Sequence, residues 1–447
     1  MSNPPREGNL EAPTRHAVDW KSPDYYDENL VVAEMERVFD ICHGCRRCVS
    51  LCQSFPTLFD LVDESETMEV DGVDKADYKK VVDQCYLCDM CYMAKCPYVP
   101  PHKWEVDFPH LMLRAKAIEH KKTGGTLASK FLSSTDATGK LAGIPLVTEV
   151  VNAVNTWEPT RAITEKLLGV EKEAWLPPFA SKTFRKIAQP NETLDVIDGK
   201  KTPGKVAIFS TCYVNYNEPG IGKDFVAILE HSGIPWTIAE REVCCGMPKL
   251  EQGDLDGVER LMQANIPNLL TLAEQGYAII ALVPSCTLMF KQELPLLFAD
   301  DERVQRVADA VWDPFNYLVS RQKDGLLKDD FKQDLGTIAY HIPCHGRVQN
   351  IGRKTEQFLK QLPGTEIKTT ERCSGHAGTY GVKKEFYTNA MKIGKPVFRQ
   401  MNQAEPDYIA SDCPLGGHHI AQGIQIYHDS TPELAHPISL VRKAYGI

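Results

Sequence analysis

The chain has 447 residues, 43% hydrophobic and 25% charged, with a formal charge of −10, which excludes a disordered protein and is too long for one core, so two or three domains are expected. Its longest apolar run, Tyr277 to Pro284, is too short to span a bilayer, and Met1 to His16 is polar with no secretory signal, so the expected location is cytoplasmic. No basic cluster offers a face to nucleic acid, whereas 15 cysteines in a reducing compartment read as metal ligation or redox chemistry rather than a disulfide framework.

After a tail to residue 28, Val31, Met35, Val38 and Phe39 recur at helical spacing just before the first cysteine run. Cys42, Cys45, Cys48 and Cys52 read C-x2-C-x2-C-x3-C. Cys85, Cys88, Cys91 and Cys96, followed by Pro97, read C-x2-C-x2-C-x4-C-P. This is the ligand pattern of paired [4Fe-4S] clusters, in which the fourth cysteine of each run reaches the other cluster. Cys42, Cys45, Cys48 and Cys96 are therefore expected around one cluster, and Cys85, Cys88, Cys91 and Cys52 around the second. Two zinc sites are the alternative use of eight thiolates. The segment between Cys52 and Cys85 is long enough for helices, and Val106 to Lys121 reads as another with Pro109 near its start. Residues 29–123 are thus expected to form an α-helical two-cluster ferredoxin domain.

Residues 124–201 lack cysteine and read as a helical linker. Val147, Val150, Val151 and Val154 with Trp157 form one apolar helical face, expected to pack against its own chain; a docking or membrane-surface role is the alternative.

Beyond Lys201, short β-branched runs alternate with helical stretches: Val206 to Ser210, Pro235 to Ala239, Tyr277 to Val283, Thr337 to Ile342, Glu366 to Thr369 and Asp407 to Ser411. This is the pattern of βα units with small parallel sheets, whose ligands sit beyond the carboxyl ends of the strands. Cys212, Cys244-Cys245-Gly246 and Cys286 recur roughly 130 residues later as Cys344, Cys373-Ser374-Gly375 and Cys413. Two pseudo-repeated α/β lobes are expected, 202–330 and a degenerate 331–447. The first keeps four cysteines, and four thiolates can hold a further cluster. The second has Ser374 opposite Cys245 of the first. Cys344, Cys373 and Cys413 with His345, His376, His418 or His419 leave a zinc site or an empty scaffold as the choices. Gly220-Ile-Gly222-Lys223 lacks both the dinucleotide and the P-loop patterns and reads as a loop with a helix cap.

The stretches Cys85-Tyr-Leu-Cys-Asp-Met-Cys91, Cys96-Pro-Tyr-Val-Pro-Pro-His102, Val243-Cys-Cys-Gly-Met-Pro248 and Gly375-His-Ala-Gly-Thr-Tyr-Gly381, with the doubled lobe, resemble the cysteine-rich iron-sulfur subunits of anaerobic glycerol-3-phosphate dehydrogenase (its C subunit), glycolate oxidase and heterodisulfide reductase. The resemblance implies redox sites in the CCG lobes, including non-cubane clusters in heterodisulfide reductases, and a C-x-x-C in each lobe whose last position is Met289 in the first and Gly416 in the second. It also implies a flavoprotein dehydrogenase partner, an acceptor such as quinone, and a peripheral place at the inner face of the membrane.

No flavin or nicotinamide fingerprint is present, so substrate oxidation would fall to another chain and no catalytic residue is assigned. The expected function is an electron-transfer subunit of an oxidoreductase. A thiol/disulfide reductase acting at the first lobe, and a non-redox scaffold, are the competing readings.

Overall fold

A computed structural model describes residues 11–447. The chain divides into two compact units. One runs to Thr126 and takes in Lys249–Asp256 and Leu296–Ala299; the other holds Leu127–Pro248, Gly257–Pro295 and Asp300–Ile447.

The first unit is helical: α1 (Glu28–Cys45), α2 (Ser54–Asp63), α3 (Tyr78–Gln84), α4 (Met90–Ala94) and α5 (Phe108–Thr123). Asp27 starts α1 by accepting from Asn29 and Leu30 N–H at 2.8 and 3.0 Å, the N-cap arrangement that satisfies otherwise unpaired donors. The apolar positions Val31, Met35, Val38 and Phe39 are all buried. α5 begins with Asp107 as cap and Pro109 in its first turn, and ends at Gly124 in the left-handed conformation, as helix-end chemistry dictates.

The second unit opens with α6 (Leu127–Ser133), α7 (Thr135–Ala142), α8 (Pro145–Thr156), α9 (Glu158–Leu168) and α10 (Phe184–Ile187). Two α/β lobes follow. The first comprises β1 (Val206–Phe209), α11 (Cys212–Tyr216), α12 (Pro219–His231), β2 (Trp236–Ile238), α13 (Met247–Leu250), α14 (Leu255–Glu274), β3 (Ala278–Ala281), α15 (Pro284–Leu288), a π-helical turn Met289–Glu293, α16 (Leu294–Leu297), α17 (Glu302–Ala310), β4 (Val311–Trp312) and α18 (Pro314–Lys323). The second comprises β5 (Gly336–His341), α19 (Cys344–Arg347), α20 (Lys354–Leu359), β6 (Thr365–Thr370), α21 (Lys384–Gln403), β7 (Tyr408–Ser411), α22 (Pro414–His428), β8 (Glu433–Ala435) and α23 (Pro437–Tyr445).

The two sheets have orders β2-β1-β3-β4 and β6-β5-β7-β8, and every pairing is parallel. The central strands β1 and β3 are buried along their whole length, as apolar runs covered on both faces by helices must be. The fold is thus mixed helix with small parallel sheets, as the alternating pattern predicts. The Gly220-Ile-Gly222-Lys223 stretch, expected as a loop with a cap, lies within the start of α12.

One expectation fails in part in α8. Val150 and Val154 are exposed, at 62% and 38%, and so is Trp157 at 63%, whereas Val147 and Val151 are half-buried, so the valine face packs into its own unit only in part. α8 also holds on through polar contacts: Thr148 is buried, and Asn152 Nδ2 donates to Phe179 O at 2.9 Å.

The two lobes meet through His418, whose Nε2 lies 2.5 Å from Glu218 Oε1. The same oxygen accepts from Tyr213 O–H at 2.7 Å. The His418 ring stacks on Trp175, centroids 3.9 Å apart and planes 8° from parallel.

Candidate metal centres

In the first unit, Cys42 and Cys45 stand three residues apart on the last turn of α1, hence on one face. Arg46 ends that helix in the left-handed conformation, φ 51°, and turns the chain toward Cys48. These three, with Cys96 from the other run, line a small cavity whose remaining wall includes Phe55, Tyr98 and Val106. Arg47 and Lys95 also border it. Burial pushes the Cys48 thiol up to about 12, helped by Cys96 and Cys45 and opposed by Lys95 and Arg47. Cys42 is raised well above the thiol range by burial and then by the same neighbours, Cys96, Cys48 and Cys45. Crowded thiols such as Cys42, Cys48 and Cys96, which resist ionisation on their own, become stable thiolates once cationic iron neutralises them.

Cys91 is raised by burial and by Cys88, Cys48, Cys85 and Cys52, so the second expected set also converges, with Cys48 of the first set nearby. Leu87 and Asp89 carry positive φ, 52° and 60°. Two left-handed residues flanking Cys88 are uncommon outside glycine and mark a loop bent for a purpose. The loop is pinned by a residue that motif reading overlooks. Arg15 forks onto Asp89 at 2.7 and 3.1 Å and onto Asp107 at 2.8 and 3.0 Å, and its guanidinium lies 4.6 Å from the Tyr92 ring centre. A lone arginine in a tail carries no sequence signal for this role.

In the first lobe, Cys212 follows β1, Cys244 and Cys245 lie in the loop after β2, and Cys286 sits in α15 after β3. All three segments leave the carboxyl ends of parallel strands, where such sheets bind ligands. The thiols form a chain in which Cys244 contacts Cys212 and Cys245, and Cys245 contacts Cys286. Cys244 is drawn well below the thiol range by the hydrogen bond from Cys212 and then that from Cys245, against burial. Cys212 and Cys245 are correspondingly raised.

The loop geometry is strained in a definite place. Thr211 has φ 58° and ψ 156°, a region reserved for glycine and costing about 1–3 kcal/mol. The matching residue of the second lobe, Pro343, is relaxed at φ −69° and ψ 154°. Gly246 has φ 104°, and a side chain there would start 3.3 Å from Met289 Cε. Met289, at the position of the absent fifth cysteine, is fully buried and opens the π-helical turn; such turns gather at functional sites.

Polar residues outside the cysteine pattern hold this lobe. Buried Asn265 accepts from Val243 N–H at 3.0 Å and donates to the carbonyls of Val243 and Cys244, both at 3.1 Å. Glu242 accepts from Ser210 N–H at 3.0 Å and pairs with Arg185 at 3.0 Å. Burial raises its carboxyl to about 7 despite Arg185. Asp136 of α7 accepts from Cys244 N–H at 2.6 Å.

In the second lobe, Cys344 starts α19, Cys373 follows β6, and Cys413 caps α22, its sulfur accepting from Gly416 N–H at 3.4 Å. Cys344 is raised by burial and then by Cys373 and Cys413, so the three converge. Burial takes Cys413 to about 11, opposed by Gly416 N–H. A β-carbon on Gly416 would stand 3.5 Å from both Cys413 Sγ and Ser374 Oγ. The two positions that lost a cysteine therefore still face each other. His376 and His419 are buried, brought down to about 3 and about 4 by burial, with ring centres 5.7 Å apart. His418 instead turns to Glu218 and Trp175.

Among the described residues no three His, Cys, Asp or Glu side chains surround a single metal-ion position. Thiolates on a cubane each hold a separate corner iron and stand wider than ligands of one zinc. The fit to a cluster rests on the lined cavity in the first unit and, in the second, on the Thr135 hydroxyl, closed to solvent and set against the Cys212 and Cys244 sulfurs.

The two parallel-sheet lobes with cysteines at the strand ends coincide with residues 206–291 and 338–421, each of which matches the cysteine-rich CCG domain. The chain resembles the cysteine-rich iron-sulfur subunits of oxidoreductases. It is 28% identical over 347 residues to the C subunit of anaerobic glycerol-3-phosphate dehydrogenase from Escherichia coli strain K12, covering 76% of this chain and 82% of that one. It is 26% identical over 232 residues to the B subunit of fumarate reductase (CoM/CoB) from Methanothermobacter marburgensis, 51% of this chain and 44% of that one. An uncharacterized iron-sulfur protein of Methanocaldococcus jannaschii is 27% identical over 227 residues, 50% of this chain and 42% of the relative.

Proposed function

We propose that the chain is an electron-transfer subunit that works beside a flavoprotein dehydrogenase and delivers to an acceptor such as quinone. In this reading 29–123 is a ferredoxin domain holding two [4Fe-4S] clusters, 124–201 a linker, 202–330 a CCG lobe holding a further cluster, and 331–447 its degenerate copy. The first cluster takes Cys42, Cys45, Cys48 and Cys96, the second Cys85, Cys88, Cys91 and Cys52, and the further one Cys212, Cys244, Cys245 and Cys286. When bound, such clusters supply one-electron transfer with little rearrangement.

The observation that carries the reading is the cavity whose lining combines Cys42, Cys45 and Cys48 of one run with Cys96 of the other. Phe55, Tyr98 and Val106 limit water there, and Arg47 and Lys95 offset the negative charge of four thiolates. In the first lobe, Asn265 and Asp136 tie down the backbone of the cysteine pair, so the thiols need little reorganisation to serve as ligands. The chain is read as cytoplasmic; no helix among the described residues is long and apolar enough to cross a membrane.

Iron, labile sulfide and zinc per chain, measured after purification without oxygen, test this reading. About twelve irons are expected. About eight would remove the cluster from the first lobe, and far fewer would remove the ferredoxin domain. One zinc per chain would be assigned to Cys344, Cys373 and Cys413.

A further inference from the structure

The connecting helices lie outside both CCG matches, yet α7 reaches the first-lobe cysteines. Asp136 Oδ2 holds Cys244 N–H at 2.6 Å. One turn on, Gly139 is buried, and a β-carbon added there would fall 2.3 Å from the Tyr216 ring. Tyr216 ends α11, the helix that begins with Cys212. Only a residue without a side chain allows α7 so close to α11. The approach brings Thr135 Oγ1 to the Cys212 and Cys244 sulfurs, which are its hydrogen-bonding neighbours, at a position closed to solvent.

A buried hydroxyl left without a good acceptor costs about 1–3 kcal/mol, so the strength of the acceptor beside it matters. Here the nearest groups are sulfurs, weak acceptors as thiols and stronger ones as thiolates or bridging sulfide. Hydrogen bonds to cluster sulfur raise reduction potential, because they favour the more negative reduced state.

We infer that α7 is a fixed lid over the first-lobe centre, and that the Thr135 hydroxyl donates a hydrogen bond to a sulfur of the group held by Cys212, Cys244, Cys245 and Cys286. Thr135 is then a residue that sets the potential of this centre without ligating it. The inference rests on the proposed cluster in the first lobe; the lid alone does not.

The test uses the full chain purified without oxygen, in parent form and as Thr135→Val and Thr135→Ser. The midpoint potential of the first-lobe centre is read by redox titration with paramagnetic resonance, the N-terminal centres serving as internal reference. Thr135→Val is expected to make that midpoint more negative, so that at the parent midpoint the reduced-to-oxidised ratio falls severalfold; a tenfold fall corresponds to about 59 mV for one electron. Thr135→Ser is expected to keep the parent value, and the reference centres to stay in place. An unchanged midpoint in Thr135→Val with iron content intact overturns the hydrogen bond.

The lid is read separately, from the alkylation rates of Cys212 and Cys244 in iron-free full chain. Gly139→Val and Asp136→Ala are each expected to raise these rates severalfold. Rates equal to the parent in both overturn the lid. A parent chain with about eight irons and no third signal overturns the cluster reading and the Thr135 bond together, while the alkylation result still decides the lid.

Discussion

Arg15 concentrates more electrostatic organisation than any cysteine spacing reveals. It is 11% exposed and holds two carboxylates, of which Asp89 is 5% and Asp107 20% exposed. Burial alone would raise the Asp107 carboxyl, but the neighbouring His110 and then Arg15 overcome this and bring it down to about 2 from 3.8. A carboxyl below its unfolded value stabilises the fold fully above about pH 4 and ceases to do so as pH falls through 2; its share here is ~2 kcal/mol. Acid titration of the first unit, followed by circular dichroism, is expected to show this loss between pH 4 and 2. Arg15→Met strands two partly buried carboxylates and is expected to cost about 3 kcal/mol near pH 7. Its deficit relative to the parent should shrink as acid neutralises them, and a deficit independent of pH would refute the pairing. Asn265→Ala leaves a buried N–H and two carbonyls of the cysteine-pair loop without their partner, for an expected loss of about 2 kcal/mol in urea unfolding. Neither Arg15 nor Asn265 was legible in the sequence, because each acts through backbone or carboxylate partners far away along the chain. The cysteines were legible because ligand spacing is local.

At the scale of elements, the six β-branched runs read from the sequence all became strands: β1 and β3 are apolar runs buried on both faces, whereas β6, Thr-Glu-Ile-Lys-Thr-Thr, alternates as a half-exposed edge strand. β4 and β8 escaped notice because two or three residues carry no periodicity. The partial failure at α8 has a different origin. Its i, i+3, i+4, i+7 pattern is real, but a pattern reports a face and not what covers it. Half of the large apolar side chains exposed among the described residues fall within 127–168, among them Leu141, Ile144, Val150 and Leu167. Exposed apolar side chains mark an interaction site where they join into one patch. Val150→Glu and Trp157→Glu are accordingly expected to change folding stability by no more than about 0.5 kcal/mol in thermal or urea unfolding. A loss above about 2 kcal/mol would mean that these side chains are part of a core.

For the whole molecule, the doubled lobe is one design carried to two degrees of completeness. Strand order and direction repeat, whereas four thiols, the strained Thr211 and the π-helical turn occur in the first lobe. The second retains the relaxed Pro343, with Ser374 and Gly416 facing each other across Cys413. Ordinary contact distances around a Gly416 β-carbon leave room for a side chain. The double variant Ser374→Cys, Gly416→Cys is expected to bind about four more irons per chain than the parent. Unchanged iron would show that the second lobe has lost more than its ligands.

The stack of His418 on Trp175 gives the joint between the lobes an optical consequence. Indole emission responds to an imidazole lying flat against the ring, and the Glu218 contact that keeps His418 there comes from the opposite lobe. Any widening of that joint would free the imidazole and alter the light from Trp175. The chain thus carries a built-in fluorophore for lobe separation, distinguished from its other five tryptophans by the change that Trp175→Phe would abolish.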